Sequence, residues 1–325
     1  MKESLATRRK KRKINSATAV NSRLVRRPIR RMWWLFLAPT VVSFVIGFVW
    51  PFLQGIGLSF CRFTTVSDAS LFTKAGKLVG FSNYVKAFQD ASFFHAFWYT
   101  ALFAVVSLLI INLLAFAVAY ALTSGIKGSN IFRTVFFMPN LIGGIVLGYI
   151  WDMIFNGILI RYGQTILDKT EYGFWGLLIL MCWQQVGYMM IIYIAGLQAI
   201  PEELNEAARI DGAGKWQQLI HVTIPNVMSS ITICAFLTLS NGFKLFDQNL
   251  ALTGGAPFVS TKTEDGLLET VRTTEMLALN IYQTFYNQNQ SARGIAQAKG
   301  VIFFVLVAVI SLVQLRATRS KEVQQ

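Results

Sequence analysis

The chain has 325 residues, of which 54% are hydrophobic and only 14% are charged. Soluble proteins carry roughly 25% charged residues, and the mean hydropathy of +0.48 also argues against a soluble globular protein. The two histidines and three widely spaced cysteines exclude a histidine-rich metal site and a disulfide-rich scaffold.

Six apolar stretches are each close to the length of about 20 residues that a helix needs to cross a bilayer. In chain order they are 32–57, 94–122, 134–156, 174–198, 226–246 and 297–315. We therefore predict an all-α, polytopic membrane protein with six transmembrane helices. Residues 32–315 form the transmembrane domain, and 1–31 and 316–325 are short tails.

Small residues and prolines predict local features of these spans. Pro39 and Pro139 are expected to kink the first and third spans, where neighbouring groups can satisfy the freed backbone. Gly143, Gly144 and Gly148 in the third span are expected to let another helix approach closely.

Basic residues concentrate at the two ends of the chain. Residues 1–31 hold twelve lysines and arginines, and Arg316, Arg319 and Lys321 follow the last span. Because such segments stay on the cytoplasmic side, both termini are expected inside. The loops 123–133 and 199–225 then lie inside, and the loops 58–93, 157–173 and 247–296 lie outside. A basic tail could also bind nucleic acid, but a topology signal beside anionic lipid is the simpler interpretation.

The inner loop 199–225 has the pattern of a helical hairpin. Pro201 suits the first turn of a helix, and Asp211-Gly212-Ala213-Gly214 ends it, because glycine accepts the left-handed conformation of a helix end. A second helix can run from Lys215 to Val222. The first helix has an acidic start and a small apolar surface, formed by Glu202, Glu203, Glu206, Leu204, Ala207, Ala208 and Ile210. Such an element could dock on a partner or simply connect two spans.

No segment has the sequence of a site that hydrolyses nucleotides. The phosphate-binding loop is a glycine-rich run that ends in Lys and Ser or Thr, whereas Gly214-Lys215 is followed by Trp216. Asp152 and Asp247, near the outer ends of spans, could be catalytic or carry protons, but an interfacial position is the simpler interpretation. We expect no catalytic, cofactor or metal site on this chain, so energy must come from another subunit.

Polar residues inside the fourth and fifth spans mark a candidate substrate path. Gln184, Gln185 and Tyr188 share one helix face because they lie three or four positions apart. The fifth span contributes Thr238, Asn241, Lys244 and Leu245. Polar residues within spans usually face the bundle interior or a water-filled cavity, and amide, hydroxyl and aromatic groups suit a sugar. Hydrogen bonding between helices is the alternative.

Lys244 leaves the class of cargo open. A cation near the path could favour an anionic cargo such as a phosphorylated polyol. It could equally pair with Asp247, or extend to the outer surface of the membrane.

A family resemblance bears on the inner loop. Glu206-Ala207-Ala208, then three residues, Gly212, nine residues and Val222-Thr223-Ile224-Pro225 resemble the EAA loop of bacterial ABC importer permeases. Val222 and Ile224 stand where that family usually has Ile and Leu. The resemblance implies that the loop docks on an ATPase subunit. It implies a coupling role for Glu203, Glu206, Ala207, Ala208, Asp211 and Gly212.

Further segments are similar to the sugar-type permeases, the group of the maltose and glycerol-3-phosphate membrane subunits. They are 78–84, 133–139, 242–247, 252–257 and 274–277. Lys299 departs from the small or apolar residues usual in that family, which puts the start of the last span in question. The resemblance implies a carbohydrate importer of the bacterial cytoplasmic membrane. Its partners would be two ATPase subunits, a second and different permease chain, and an external solute-binding protein that could contact loop 247–296.

Two other classes of protein compete with this interpretation. An ion-coupled secondary transporter works without an ATPase and usually contains an internal repeat with broken helices, and no clear repeat is present. A membrane-embedded enzyme needs a convergent set of acid, base or metal ligands. Copurification of an ATPase chain would favour the importer over both.

Overall fold

The computed structural model describes residues 33–62, 77–262, 268–289 and 291–319. The basic tail at 1–31 lies outside the described residues, as do residues 320–325. Helices dominate the described part of the chain, as predicted. Five helices are long and apolar enough to cross a membrane, and one bent helix pair is a sixth candidate.

The first unit of the chain ends at Gly57. Helix α1 (Trp33–Ser59), which begins in this unit and ends two residues after it, corresponds to the first predicted span. The helix contains a wide π-helical turn at Val45–Val49, closed by the N–H of Trp50 donating to the carbonyl of Val45. This turn ends two residues before Pro51, which has no N–H to donate.

The second unit begins at Leu58 and is mainly helical. Its helices are α2 (Ser82–Gln89), α3 (Ala91–Thr123), α4 (Ser129–Phe137), α5 (Gly144–Leu159), α6 (Thr170–Gln198), α7 (Glu202–Ile210), α8 (Lys215–Asn226), α9 (Met228–Phe243), α10 (Asp247–Leu252), α11 (Leu277–Tyr286) and α12 (Ala292–Arg319). Two antiparallel ribbons pair β1 (Cys61–Arg62) with β2 (Lys77–Leu78) and β3 (Phe258–Lys262) with β4 (Leu268–Arg272). Helices α3, α6 and α12 confirm the second, fourth and sixth predicted spans.

Helices α3 and α6 run side by side in the same direction. The ring of Tyr99 meets that of Phe174 near the start of both helices, at a centroid distance of 5.9 Å. Further along, the Tyr193 hydroxyl donates to the side chain of Asn112, with an Oη to Oδ1 distance of 2.8 Å. Both helices therefore end at the same end of the bundle. We call this the hairpin end, because loop 199–225 follows α6 there, and we call the other the opposite end.

The third predicted span, 134–156, is wrong in its bounds. A 3-10 turn, Met138–Leu141, separates α4 from α5, so the helix is not continuous. Pro139 lies in this turn, where it has no N–H to donate to a helix. The candidate span is instead Gly144–Tyr162. The interruption is larger than the kink predicted at Pro139.

The fifth predicted span, 226–246, is also interrupted. Helices α8 and α9 meet at Val227 with a bend of 70°, so α9 alone forms the straight part of this span. Helix α9 ends at Phe243 and α10 begins at Asp247. Lys244 therefore lies at a break in the span.

The two interruptions meet beside the middle of α6. Gln184 donates from Nε2 to the carbonyl of Ile142, at 3.2 Å, and accepts from Nε2 of Gln248, at 2.7 Å. A bilayer contains no water for backbone groups freed at a break, so protein groups must satisfy them. Gln184 does so for the segment before α5 and ties it to the start of α10.

Glycines allow α10 to lie against α5. A Cβ at Gly144 would stand 2.7 Å from the Cβ of Asp247, and a Cβ at Gly148 would stand 2.5 Å from that of Ala251. No larger side chain fits at either position without a shift of α10. The predicted close approach is thus confirmed at these two glycines, but not at Gly143, where a Cβ would meet open space.

Lys299 belongs to a buried polar cluster at the opposite end. Its side chain is fully buried, and Nζ lies 2.6 Å from Oδ2 of Asp90. Nζ also donates to Oδ1 of Asn280 and to Oγ1 of Thr284, at 2.8 and 2.9 Å. Because these partners compensate for the desolvation of the ammonium, the cation does not displace the start of α12, which begins at Ala292.

Asp90 also fixes the start of α3. Its Oδ1 atom accepts from the backbone N–H groups of Ser92 and Phe93, at 2.9 and 3.3 Å. Such a cap satisfies N–H groups that have no partner inside the helix. One carboxylate therefore joins the beginning of α3 to α12.

We expect Lys299→Met to destabilise the protein by about 3 kcal/mol, because it leaves a partly buried carboxylate without its cation. Lys86→Met is the matched control, since Lys86 is exposed and its loss should change stability by less than about 0.5 kcal/mol. Thermal unfolding in detergent measures both variants. Equal unfolding temperatures would show that the Asp90 pair does not stabilise the bundle.

Candidate functional site

Helix α7 ends in a tight turn built around Gly212. The N–H of Gly212 donates to the carbonyl of Arg209 at 3.1 Å, and that of Ala213 donates to the carbonyl of Ala208 at 2.9 Å. These two bonds form the Schellman arrangement, in which the residue after the cap adopts a left-handed conformation. Gly212 has φ +76°, so a residue with a Cβ would be strained there.

The second arm of the hairpin begins at once after this turn. The N–H of Gly214 donates to Oε1 of Gln217 at 2.8 Å, and Nε2 of Gln218 donates to the carbonyl of Ala213 at 2.8 Å. The turn is therefore closed by its own hydrogen bonds and holds α7 and α8 in a fixed relation.

The surface of the hairpin is almost entirely exposed. Helix α7 buries none of its residues, and Ile210 and Trp216 are 86% and 76% exposed on either side of the turn. The predicted coupling residues Glu203, Glu206, Ala207, Asp211 and Gly212 are exposed, and Ala208 is half-buried. Exposed apolar side chains that cluster on one element often mark a protein interface. Sequence reasoning missed Trp216, although its place after the glycine turn could have indicated it.

The hairpin connects two spans that are in direct contact. Helix α7 follows α6 closely, and α8 leads into α9. A Cβ at Gly196 in α6 would stand 3.0 Å from the Cβ of Ser230 in α9. The backbone of α6 therefore lies directly against α9 at the hairpin end.

The structure brings three of the predicted path residues into one region. Gln184 and Gln185 are buried in α6, and Nδ2 of Asn241 in α9 donates to Oε1 of Gln185 at 3.0 Å. Gln248, which pairs with Gln184, was not among the predicted path residues. These amide side chains therefore lie at the level where the third and fifth spans are interrupted.

Three other predicted path residues, Thr238, Leu245 and Tyr188, each have different surroundings. Thr238 is buried and accepts from Nδ2 of Asn112 at 3.2 Å, and Leu245 is buried in the main hydrophobic core. Tyr188 is half-buried, with its ring 6.5 Å from that of Phe137. Their contribution to the path stays a prediction.

Lys244 is exposed at the break between α9 and α10. Asp247 is exposed as well, and within the described ranges the ion pair found is that of Lys299 with Asp90, not one between these two residues. An exposed cation is unfavourable beside hydrocarbon. Its face of the bundle therefore suits a water-filled cavity or another protein chain.

Comparison with known proteins places the chain in a family. Residues 111–321 match the family described as binding-protein-dependent transport system inner membrane component. The chain belongs to this family of transport permeases. It is therefore a multi-pass protein of the inner membrane and a transport subunit, as the resemblance predicted.

Individual relatives agree with this assignment over nearly the whole chain. The permease AmyD of Thermoanaerobacterium thermosulfurigenes, named as a probable starch degradation products transporter, is 41% identical over 90% of this chain and 95% of its own. The multiple sugar-binding transport permease MsmF of Streptococcus mutans is 29% identical over 92% of this chain and 99% of its own.

A solved structure has the same fold. It is a chain of a bacterial ABC transporter involved in the import of the acidic polysaccharide alginate. The TM-score is 0.70 at 22% identity, with 91% of this chain and 98% of that chain covered. Membership of this permease family argues against the two alternatives considered above, an ion-coupled transporter and a membrane-embedded enzyme.

The pairing of Gln185 with Asn241 makes a cycle of substitutions informative. Asn241→Leu leaves Oε1 of a buried Gln185 without a donor and should lower stability by about 1–3 kcal/mol. The double variant Gln185→Leu/Asn241→Leu should recover much of that loss, because replacing both partners removes the unpaired polar group. Thermal unfolding in detergent tests this, with Asn130→Leu at an exposed position as the control. A double variant that loses the sum of both single effects would contradict the pairing.

Proposed function

We propose that this permease carries a carbohydrate across the cytoplasmic membrane as part of an ABC importer, powered by a separate ATPase subunit. The observation that carries the proposal is α7, a helix of nine residues that buries none of them yet is held between two packed spans. Helices this short are marginal in water on their own. A partner surface that covers α7 would account for its exposed side chains.

The hairpin offers an ATPase both apolar and acidic groups. Ile210 and Trp216 would fill hollows on the partner, as anchors do when a helix docks in a groove. Glu203 and Glu206 would face basic side chains, and Ala207 and Ala208 are small enough to let the partner approach the helix. Asp211 and Gly212 would hold the turn in shape. These six residues and the two anchors form the proposed coupling surface.

Movement of the ATPase would reach the path through α6 and α9. Both helices continue from the hairpin and touch each other at Gly196, so a shift of α7 displaces them together. Gln185 and Asn241 keep them joined further along the spans. Gln184 would pass the displacement to the segment before α5 and to α10, where the spans are interrupted.

The orientation follows from the basic segments. Residues 1–31 and Arg316, Arg319 and Lys321 belong on the cytoplasmic side, next to anionic lipid, so both termini and the hairpin face the cytoplasm in this proposal. The opposite end of the bundle then faces outward. An external solute-binding protein would deliver the cargo there, with loop 247–296 as a candidate contact.

A second permease chain would complete the path. Exposed Lys244 would otherwise face lipid, at a penalty of ~2.5–3.5 kcal/mol on insertion scales. A second subunit placed across a water-filled cavity from Lys244 removes that penalty. The sugar-type resemblance favours a different chain, so the transporter would contain two permeases and two ATPase subunits.

A carbohydrate is the cargo best supported. The relatives are named for starch degradation products and for multiple sugars, and the amides of Gln184, Gln185 and Asn241 can bind hydroxyl groups. Tyr188 would line the same region, while buried Thr238 and Leu245 would support it from behind. An anionic polyol phosphate is the second candidate, because Lys244 is exposed and forms no ion pair with the described residues.

Ile210→Ser tests the coupling surface. Losing a buried apolar anchor should weaken ATPase binding by about 2 kcal/mol, or about thirtyfold. We expect less ATPase to copurify and ATP-driven uptake into vesicles to fall. Ile126→Ser is the matched control, because Ile126 is also exposed and lies in the other loop at the hairpin end. Normal copurification and uptake for Ile210→Ser would refute the assigned role.

Lys244→Gln separates the two cargo classes. If the cargo is a neutral sugar, uptake of maltotriose should change by less than about threefold, since no charged hydrogen bond to the cargo is lost. If the cargo is anionic, loss of the cation should reduce uptake of glycerol 3-phosphate about tenfold or more. Uptake of both compounds by the wild-type transporter and by the variant decides between them.

A further inference from the structure

A polar pocket of about 150 Å³ lies at the opposite end of the bundle. Its walls come from the start of α3, from strand β4 and from the segment that leads through α11. Its floor consists of polar side chains that are almost fully buried, namely Glu275, Asn280, Gln283 and Thr284, with exposed fractions of 3%, 4%, 8% and 2%. Buried polar groups are unfavourable unless they are hydrogen-bonded, so such a floor needs internal partners or a ligand.

Glu275 is the acidic group of this floor. Its Oε2 atom accepts from Nδ2 of Asn280 at 2.9 Å, and none of the described residues donates to its Oε1 atom. Burial raises the pKa of Glu275, and the hydrogen bond from Asn280 and the charges of Arg272 and Lys299 oppose that rise. One carboxyl oxygen is therefore left to interact with a molecule in the pocket.

The rim of the pocket is held in place by its own contacts. Arg272 donates from Nη1 to the carbonyl of Gly254 at 3.1 Å, and its guanidinium lies 5.1 Å from the centre of the Phe258 ring. Gln283 of the floor donates to the same carbonyl at 3.2 Å. Side chains that are already fixed lose little conformational freedom when a ligand binds.

The pocket contains one basic and one acidic side chain. Arg272 and Glu275 line it, and Lys299 behind them is paired with Asp90. A guanidinium and a carboxyl group in one small pocket do not select for either an anion or a cation. Hydroxyl groups can donate and accept at once, so a neutral polyhydroxyl compound matches the carboxyl, guanidinium and amide groups together.

The volume limits the ligand to one small group, because pockets for drug-sized ligands measure roughly 300–1,000 Å³. We propose that this pocket binds one sugar ring of the cargo at the outer face, before the cargo enters the path between the spans. The proposal rests on the carbohydrate function proposed above. It adds a site apart from Gln184 and Gln185.

Hydrogen bonds connect the pocket to the ends of α3 and α12. Asn280 donates to Glu275 and accepts from Lys299 of α12. Lys299 in turn holds Asp90, which caps α3. A sugar that engages Glu275 would therefore act on the cluster that fixes the outer ends of α3 and α12.

Protection of a rim cysteine tests the site in the complete transporter. Asn287→Cys places a thiol on the exposed rim, and Tyr162→Cys, at a position 76% exposed after α5, is the control at the same end. A membrane-impermeant maleimide labels both, against the background of the unsubstituted chain. The probes are glucose, maltotriose and arabinose, with betaine at equal osmolarity. One ring of about twelve heavy atoms allows half-saturation at ~1 mM. At ten times that concentration, labelling at 287 should slow about tenfold.

Variants of the floor make the result specific. Adding Glu275→Gln should raise the half-saturation concentration about tenfold, because an amide nitrogen, which cannot accept a hydrogen bond, replaces the free carboxyl oxygen. Gln283→Met should act similarly and serves if Glu275→Gln fails to fold. Glu171→Gln, at an exposed position at the start of α6, should leave half-saturation unchanged.

Sugar-dependent protection at 287 that is weakened by the floor variants supports the pocket. Three results would overturn the proposal: no protection by any of the three sugars, equal protection at 162, or protection unaffected by both floor variants. The pocket would then hold only water. ATP-driven uptake of the same sugars in the same vesicles judges the proposed function separately, since uptake without protection refutes the pocket alone.

Discussion

The contact between α6 and α9 is the constraint on which the rest of the structure depends. At the hairpin end Gly196 brings the backbone of α6 against Ser230, and further along Asn241 donates to Gln185. In the proposed coupling, two helices that touch at two levels would move together when the ATPase displaces α7. Without these contacts, the displacement would bend α6 alone and would not reach the proposed path.

Two interrupted spans lie next to this pair of helices. The breaks before α5 and after α9 leave backbone groups without helical partners. Gln184 donates to the backbone carbonyl of Ile142 at the first break and accepts from the side chain of Gln248 beyond the second. At the opposite end Lys299 and Asp90 do the reverse, since they lock α12 to the start of α3. The bundle is thus held firmly at the opposite end and interrupted halfway along. The hairpin leads directly into α9, and α9 ends at the second interruption.

Local sequence patterns predicted much of the fold. Long apolar runs located α3, α6 and α12, and the glycine after Asp211 located the hairpin turn, because helix ends depend on adjacent residues. The break near Pro139 was missed as an interruption, since its surroundings stay apolar and Gln184, far along the chain, secures it. The partner of Lys299 lies 209 residues away, and no periodicity reveals such a pair. For the same reason the sequence suggested path residues but not that Gln184 would meet Gln248.

The most direct test asks what the hairpin touches in the assembled transporter. A photo-crosslinking amino acid would replace Ile210, and another would replace Tyr162 at the opposite end as a control. Both would be activated in vesicles with and without ATP. The account predicts an adduct with the ATPase chain from position 210, with a yield that changes when ATP is added, and none from position 162. An adduct from position 210 with an external protein, or no contact with the ATPase in either state, would contradict it.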